Sequence, residues 1–505
     1  MYNDNIIYKR EKQIMSKVKI NPAELHSLSP YLHMQFAEPL SNADISVDAA
    51  WNYVENCWEK NFVKLIQRLS PPMIRWGGCF ASYYHWKEAV GPRSSRVPML
   101  NLAWDGIFSN QIGTAEFVEL CRIANNAEPL MCVNMESDGR KTWACPAPGM
   151  NRLGTADEAA EWVDYCNNPD NKLRRQHGYA DPLTIRYWQI GNETSYRYPE
   201  ANGDRKWVQD GYDARQNCDA AKRFAAAMRK ADSSLKLLAW GDDDYAKLIC
   251  EELGDQIDLI AFHSHWVLNK DNRGIVLADQ YTRQNPDSIW EVMLSTSKEL
   301  DEKICSMKEQ VKPYNKRLAM TEGHFCIMDG RDRGDFLSTW AAGVAYAKNL
   351  NTIARHSDVL DIATCADFFG NRWQVNAMML PTPVYAGKAY LMPVGEVMGL
   401  YSAHCGKSVV KAECTDKDVD ITASITGNKV YLHIVNTNAH SAANIPLEVE
   451  GKTIVKAEAW EIAANPWKEI NQLDTECFLP VKREIDPAVY TLPAAGVAAV
   501  ELEIR

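Results

Sequence analysis

The chain predicts a (β/α)8 barrel followed by a β-sandwich, and three observations predict it. From about residue 30 to 390, eight short apolar runs alternate with longer segments of helical spacing, as in a closed parallel sheet wrapped by helices. After about residue 400 the runs become short and alternating, separated by polar turns, as in a sandwich. The stretch that follows the first run, Phe36-Ala-Glu-Pro-Leu40, is nothing like the Gly-rich phosphate turn with which a doubly wound sheet would open.

The expected barrel strands are residues 32–36, 73–76, 129–134, 185–190, 235–240, 259–262, 318–321 and 359–366. Helical spacing falls on 48–69, 114–125, 155–166, 218–231, 244–253, 288–311 and 339–355. Thr114 is the expected cap of the second of these, with Glu116 and Glu119 in its first turns. Thr155-Ala-Asp-Glu158 is close to a capping box. In the C-terminal part, 420–426, 429–436, 456–462 and 497–504 read as strands, with Gly427-Asn428 as a hairpin turn between the first two. Residues 18–20 are expected to add a strand to them. The expected division is an N-terminal segment at 1–29, a barrel at 30–395 and a sandwich at 396–505.

At 505 residues the chain can bury a large core in more than one domain. Lys plus Arg is 55 against 66 Asp plus Glu, a net charge of −11, which argues against nucleic acid or an anionic membrane as partner. The first residues lack the apolar stretch of a secretory signal, and Met15 competes with Met1 as the natural start. Several of the 14 cysteines (Cys121, Cys132, Cys166, Cys365) sit inside apparent core runs, so no disulfide framework is expected; no CxxC pair occurs, so a zinc site is not expected either, and a reducing cytoplasm fits. No metal or organic cofactor is expected.

The chemistry lies at the strand ends, because a (β/α)8 barrel builds its site at the C-terminal mouth. Those ends read Glu38, Arg75 with Trp76, Asn134, Asn192 with Glu193, Asp242, His263 with His265, Glu322 and Asp367. The most telling run is Ile185-Arg-Tyr-Trp-Gln-Ile-Gly-Asn-Glu-Thr194, which delivers an amide and a carboxyl side by side. Glu322 ends a second apolar run on the seventh expected strand. Paired carboxyls facing across a barrel mouth can protonate a leaving oxygen and attack a sugar carbon. His263 and His265 would project to one side of a strand, as metal ligands must. With no third or fourth ligand at metal spacing, a hydrogen-bonding role is expected instead. Trp266, Trp104 and Trp373 are equally readable as core or as sugar platforms.

Several segments resemble glycoside hydrolase family 51, the clan A α-L-arabinofuranosidases and their relatives. They are Met73-Ile-Arg-Trp-Gly-Gly-Cys-Phe80, Tyr84-His-Trp-Lys-Glu-Ala-Val-Gly-Pro-Arg93, Asn101-Leu-Ala-Trp104, Gly113-Thr-Ala-Glu-Phe117, Ala127-Glu-Pro-Leu130, Glu161-Trp-Val-Asp-Tyr-Cys-Asn167 and Tyr187-Trp-Gln-Ile-Gly-Asn-Glu193. The resemblance implies Glu193 as acid/base and Glu322 as nucleophile. It implies Asn192 on the 2-hydroxyl, Glu38 on hydroxyls of the terminal sugar, and Arg75 beneath the nucleophile. Cys79 stands where the family has a sugar-contacting Asn, Pro39 where it has His, and His265 where it has an aromatic hydroxyl. Gly323-His324 replaces the usual Trp after the nucleophile. The substrate-binding set expected is Glu38, Arg75, Trp76, Cys79, Asn134, Asn192, His263, His265 and Trp266.

The expected function is retaining exo-hydrolysis of a terminal furanosyl unit, foremost α-L-arabinofuranose, from short oligosaccharides. Two alternatives stand: a clan A retaining glycosidase for another pentofuranoside, a galactofuranoside or a β-pyranoside, and a non-catalytic carbohydrate-binding barrel. The resemblance also implies a homo-oligomer, often a hexamer in the family.

Overall fold

The computed structural model describes residues 17–40, 47–104, 106–196, 211–268, 286–326, 335–371, 375–383, 385–468 and 476–505, with 198–199, 207–208 and 470. Met1, Met15 and Trp373 lie outside the described residues.

Eight parallel strands form the barrel: Gln35–Ala37, Met73–Trp76, Glu128–Val133, Tyr187–Ile190, Lys236–Trp240, Leu259–Val267, Arg317–Cys326 and Leu360–Ala363. Each pairs with the next in chain order. The sheet closes where Tyr31 bridges Ile362 and the Met34 N–H donates to the Ala363 carbonyl at 2.9 Å. All the expected runs are strands, but the sixth and seventh extend further than their apolar content suggests. They stay paired from His263 opposite Glu322 to Val267 opposite Cys326, after a register shift at Phe262/His263. His263, His265 and Glu322 thus sit within a ladder, where backbone hydrogen bonds hold them more rigidly than a loop would. The last expected run ends early, at Ala363. The chain then restarts as Asp367–Gly370, which adds to the sheet beside Phe36.

Met34, Met73, Leu130, Leu238, Trp240, Leu259, Ala261, Ala319 and Ile362, drawn from all round the sheet, form one buried cluster. It fills the barrel below the mouth, so the interior is a packed core and not a pore. Side chains of opposite parity face the helices. Trp162, on helix Ala156–Asn167, packs edge-on against Trp188 and parallel to Trp86. Burying each such ring contributes roughly 3 kcal/mol.

Two helix starts differ from expectation. Residues 48–58 are not an α-helix: Trp51–Asn52 and Cys57–Trp58 form a small antiparallel ladder, with Asn56 left-handed at φ +54° in its turn. The helix begins at Lys60, where the Glu59 carboxylate accepts the Asn61 and Phe62 N–H groups. Thr114 is the first helical residue and not the cap. Its Oγ1 accepts the Trp162 indole N–H at 3.1 Å, and the Glu116 carboxylate takes the Gly113 N–H instead. Thr155 does cap its helix, accepting the Glu158 N–H at 3.1 Å.

The C-terminal β-sandwich curls around a separate core that includes Val18, Ile20, Leu432, Val500 and Leu502. The strand at Val18–Ser27 belongs to it, antiparallel to Ser408–Cys414 and parallel to Leu447–Val449. Val419–Thr426 and Lys429–Asn436 form the expected hairpin, with Gly427 at φ +60° in the turn. Helix Trp340–Arg355 joins the two units: Asn351 donates to the Asp420 carboxylate at 2.6 Å, and the Trp340 indole donates to the Ala495 carbonyl at 2.7 Å. Helix Pro393–Ala403 runs across the expected division at 395/396.

Candidate active site

The site is organised by Arg75, which is wholly buried and points inward from the second strand. Its Nη1 donates to Glu322 Oε1 at 2.8 Å, its Nη2 to Asn192 Oδ1 at 2.6 Å, and its Nε to Gln189 Oε1 at 2.9 Å. One guanidinium fork thereby ties the second, fourth and seventh strands together. Burial pushes the Glu322 carboxyl up, but His263, His265 and Arg75 together outweigh it. Glu322 is held well below the usual carboxylate range and is ionised.

Glu193 faces it. Its Oε1 is 3.0 Å from His263 Nδ1, and the same nitrogen is 3.6 Å from Glu322 Oε2. One imidazole nitrogen thus touches both carboxylates. Laid end to end, the two legs cap the separation of that one oxygen pair, Glu193 Oε1 and Glu322 Oε2, at the short limit of the gap of about 6.5–9.5 Å between carboxyls that inversion requires, whereas retention uses about 5–5.5 Å. Burial pushes Glu193 up as well, and the His263 hydrogen bond reverses that to a net lowering. His263 is fixed from behind by Thr321 Oγ1 at 3.1 Å from its Nε2, and its ring meets Trp240 edge-on at 4.6 Å.

The turn carrying Glu193 is strained. Glu193 is left-handed at φ +53° and follows Gly191 at φ +75°. A non-glycine residue holds that conformation only where its surroundings enforce it. The neighbours do so: the Asp138 carboxylate accepts the Asn192 N–H at 3.2 Å and the Ser82 hydroxyl, and Arg140 Nη2 donates to the Glu193 carbonyl at 2.7 Å. Burial pushes Asp138 up to about 7, with Arg140 and Ser82 opposing.

Glu38 lies at the other side of the mouth. The Trp104 indole donates to its Oε1 at 2.8 Å, and the Phe80 N–H approaches at 3.4 Å. Burial first, and then the charge of Glu322, push its carboxyl well up. The paired glycines of the second-strand motif make room for these groups: a Cβ on Gly78, at φ +130°, would lie 2.3 Å from the Glu38 carboxyl carbon, and one on Gly77 would lie 2.7 Å from the Arg75 guanidinium. The Cys79 thiol, kept protonated by burial, points at Glu193 Oε2 at 3.5 Å. His265 Nε2 is 3.7 Å from Glu322 Oε2, and its ring lies 4.6 Å from that of His324.

The expected residues that come together are Glu193, Glu322, Glu38, Arg75, Cys79, Asn192, His263 and His265. Trp76, Trp266 and Asn134 do not join them. Trp76 follows the inward Arg75 in the strand and so points to the helices, where it packs on Phe80 and Phe117. Trp266 follows His265 and is buried against Phe325 and Tyr346. Both indoles belong to the core. Asn134 spends its amide on the chain, donating to the Arg152 carbonyl at 2.9 Å and accepting the Ser137 N–H at 2.9 Å. It shapes the loop that carries Asp138. Sequence reasoning missed Gln189, Thr321, Asp138, Ser82 and Arg140. Gln189 and Thr321 were detectable as polar residues inside apolar strands; the others lie on segments with no such frame.

Two family models match the chain, the α-L-arabinofuranosidase 1 domain over residues 65–285 and the α-L-arabinofuranosidase C-terminal domain over residues 333–495. Together the two models span most of the chain, which is α-L-arabinofuranosidase-like. A relative named α-L-arabinofuranosidase C from Emericella nidulans is 32% identical over 194 residues, 37% of this chain and 33% of the relative. An intracellular exo-α-(1→5)-L-arabinofuranosidase of Halalkalibacterium halodurans is 31% identical over 237 residues, 44% of this chain and 42% of the relative. The chain's match thus spans less than half the length of these relatives. Among solved structures, a thermostable GH51 α-L-arabinofuranosidase from Thermotoga petrophila superposes with a TM-score of 0.76 at 22% identity, covering 97% of this chain and 100% of the other. That likeness establishes the shared fold. In this arabinofuranosidase-like chain the first model covers the segments bearing Arg75, Asn192, Glu193, His263 and His265, while Glu322 lies between the two models.

Proposed function

We propose that the protein is a retaining exo-glycosidase that removes a terminal furanosyl unit, foremost α-L-arabinofuranose, from short oligosaccharides. The observation that carries this reading is the pair of carboxylates, Glu193 and Glu322, bridged by one His263 nitrogen. Glu322, ionised and steadied by Arg75, attacks the anomeric carbon while the glycosidic C–O bond breaks. Glu193 delivers a proton to the departing oxygen. A covalent glycosyl-enzyme results. Glu193 then takes a proton from water, the water oxygen bonds to the anomeric carbon, and Glu322 leaves as a carboxylate.

The low carboxyl of Glu193 in the free site is not an acid's resting state. The acid role therefore uses the proton held in the Glu193–His263 hydrogen bond, which must lie on the glutamate when the leaving oxygen arrives. Among the described residues, Asn192 Nδ2 is buried with no hydrogen-bond partner, while its Oδ1 is held by Arg75. A buried amide donor is costly to leave unpaired, and a sugar 2-hydroxyl beside Glu193 would satisfy it.

The names of the relatives support arabinofuranose as the sugar, and the intracellular relative supports a cytoplasmic setting. No helix among the described residues is long and apolar enough to cross a membrane. We assign a homo-oligomeric state on the family resemblance; a monomer mass near 57.0 kDa by light scattering would overturn it. The mechanism is tested with Glu322→Ala and a panel of chromogenic glycosides. Turnover is expected to vanish, and added azide is expected to give a glycosyl azide of inverted configuration. Activity near that of the wild type would remove Glu322 from the role.

A further inference from the structure

We propose that His263, His265 and Glu322 form a binding site for a divalent transition metal such as Zn²⁺, and that occupancy shuts the glycosidase site by capturing its nucleophile. The ligand atoms of these residues all lie within 4.8 Å of one another. His263 Nδ1 and His265 Nε2 stand 3.6 and 3.7 Å from one carboxylate oxygen, Glu322 Oε2. Glu193 Oε1 is 3.0 Å from His263 Nδ1. Four ligands about 2.1 Å from a tetrahedral zinc ion stand about 3.4 Å from each other. The observed separations bracket that spacing, so small side-chain adjustments would seat an ion, with Glu193 or a water as fourth ligand.

The surroundings suit a metal. Arg75 binds the other oxygen of Glu322, Oε1, and leaves Oε2 to the histidines. Thr321 Oγ1, at 3.1 Å, can accept a hydrogen bond from the His263 Nε2–H, which fixes the ring with Nδ1 aimed inward. Such outer partners orient metal-bound histidines. The His265 side chain is 25% exposed, so the site opens to solvent. Two imidazoles with a carboxylate is a donor set that zinc favours. Spacing along the chain hid the site, because its third ligand comes from the neighbouring strand.

The inhibition, though not the binding, rests on Glu322 being the nucleophile: a carboxylate oxygen bonded to a metal cannot attack carbon. The test uses the full chain after chelator treatment. Titration with Co²⁺ is expected to give the visible absorption of a tetrahedral complex, and Zn²⁺ is expected to displace it. Zn²⁺ should inhibit turnover competitively with substrate, and EDTA should reverse it. Removing an outer partner of a metal site already costs about 10–100-fold in affinity, so His265→Phe should weaken Co²⁺ binding by about 100-fold or more. The other group of metal-ligating side chains among the described residues, Asp301, Cys305 and His356, is largely exposed. Cys305→Ser should leave the absorption and the inhibition unchanged. No Co²⁺ absorption, or absorption lost in Cys305→Ser and kept in His265→Phe, would overturn the site. Binding that requires His265 yet leaves turnover intact would overturn the inhibition and would also count against Glu322 as nucleophile.

Discussion

Replacing Arg75 by Met tests the electrostatic frame of the site. The guanidinium is wholly buried and donates to Gln189, Asn192 and the ionised Glu322. Removing one partner of a buried ion pair costs about 3–5 kcal/mol, because the other charge stays buried without compensation. The substitution also leaves the side-chain oxygens of Gln189 and Asn192 without this donor, at about 1–3 kcal/mol for each that finds no water. These losses share one network and do not add, so about 4 kcal/mol is the expected destabilisation. That is a large part of the roughly 5–15 kcal/mol that typically holds a domain folded. Much of it should come from the stranded carboxylate. Glu322→Gln in the Arg75→Met background should therefore restore roughly 2 kcal/mol, although Glu322→Gln alone destabilises. The assay is a double-mutant cycle by urea denaturation followed in both tryptophan fluorescence and circular dichroism. A loss under about 1 kcal/mol in Arg75→Met, or no recovery in the double variant, would refute the view that Arg75 compensates the buried charge.

The remaining predictions concern chemistry, specificity and pH. Glu193→Ala should slow substrates with poor leaving groups by about 10²–10⁴-fold, the usual worth of general acid catalysis, and activated aryl glycosides far less; equal losses in kcat/KM would reject Glu193 as the acid. Cys79→Asn should raise turnover of aryl α-L-arabinofuranosides, since an amide donates and accepts more strongly than the thiol now facing Glu193; an unchanged or lower kcat/KM would show that the thiol is a neutral replacement. Glu396 is buried beside Arg68, and burial pushes its carboxyl up to about 8. The folded protein keeps this proton above the pH at which the unfolded chain gives it up, so the contribution of Glu396 to stability falls as pH rises from the unfolded pKa, about 4.3, toward about 8. Glu396→Gln should flatten that decline, gaining Tm relative to the wild type as pH rises. Parallel Tm profiles for the two proteins would count against a protonated Glu396.

The barrel was legible because its strands are apolar on both faces, which marks a parallel sheet between a packed interior and a layer of helices. The same property misplaced Trp76 and Trp266. Each follows a polar residue that belongs to the site, Arg75 or His265, and strand parity alone separates the mouth from the helix layer. Applied strictly, that parity sends both indoles outward, and in the fourth strand it brings Gln189 in between Trp188 and Ile190. What parity cannot supply is the partner across the sheet. The contact of His265 with Glu322 depends on the register shift at Phe262/His263, and no local pattern announces it.

The hold on Glu193 was equally hidden, because Asp138, Ser82 and Arg140 reach it from two separate loops. These residues explain how a strained glutamate can be kept in place. The left-handed turn at Glu193 would relax if its carbonyl and the Asn192 N–H lost their partners, and the carboxyl would then swing away from His263. The geometry of the site is therefore set by the loops after the second and third strands as much as by the strand that carries Glu193. A chain could keep the Asn-Glu pair of the fourth strand and still lose the site through those loops. The pair alone is weak evidence of chemistry for that reason, and its meaning here comes from the Asp138–Asn192 and Arg140–Glu193 hydrogen bonds that hold it facing Glu322.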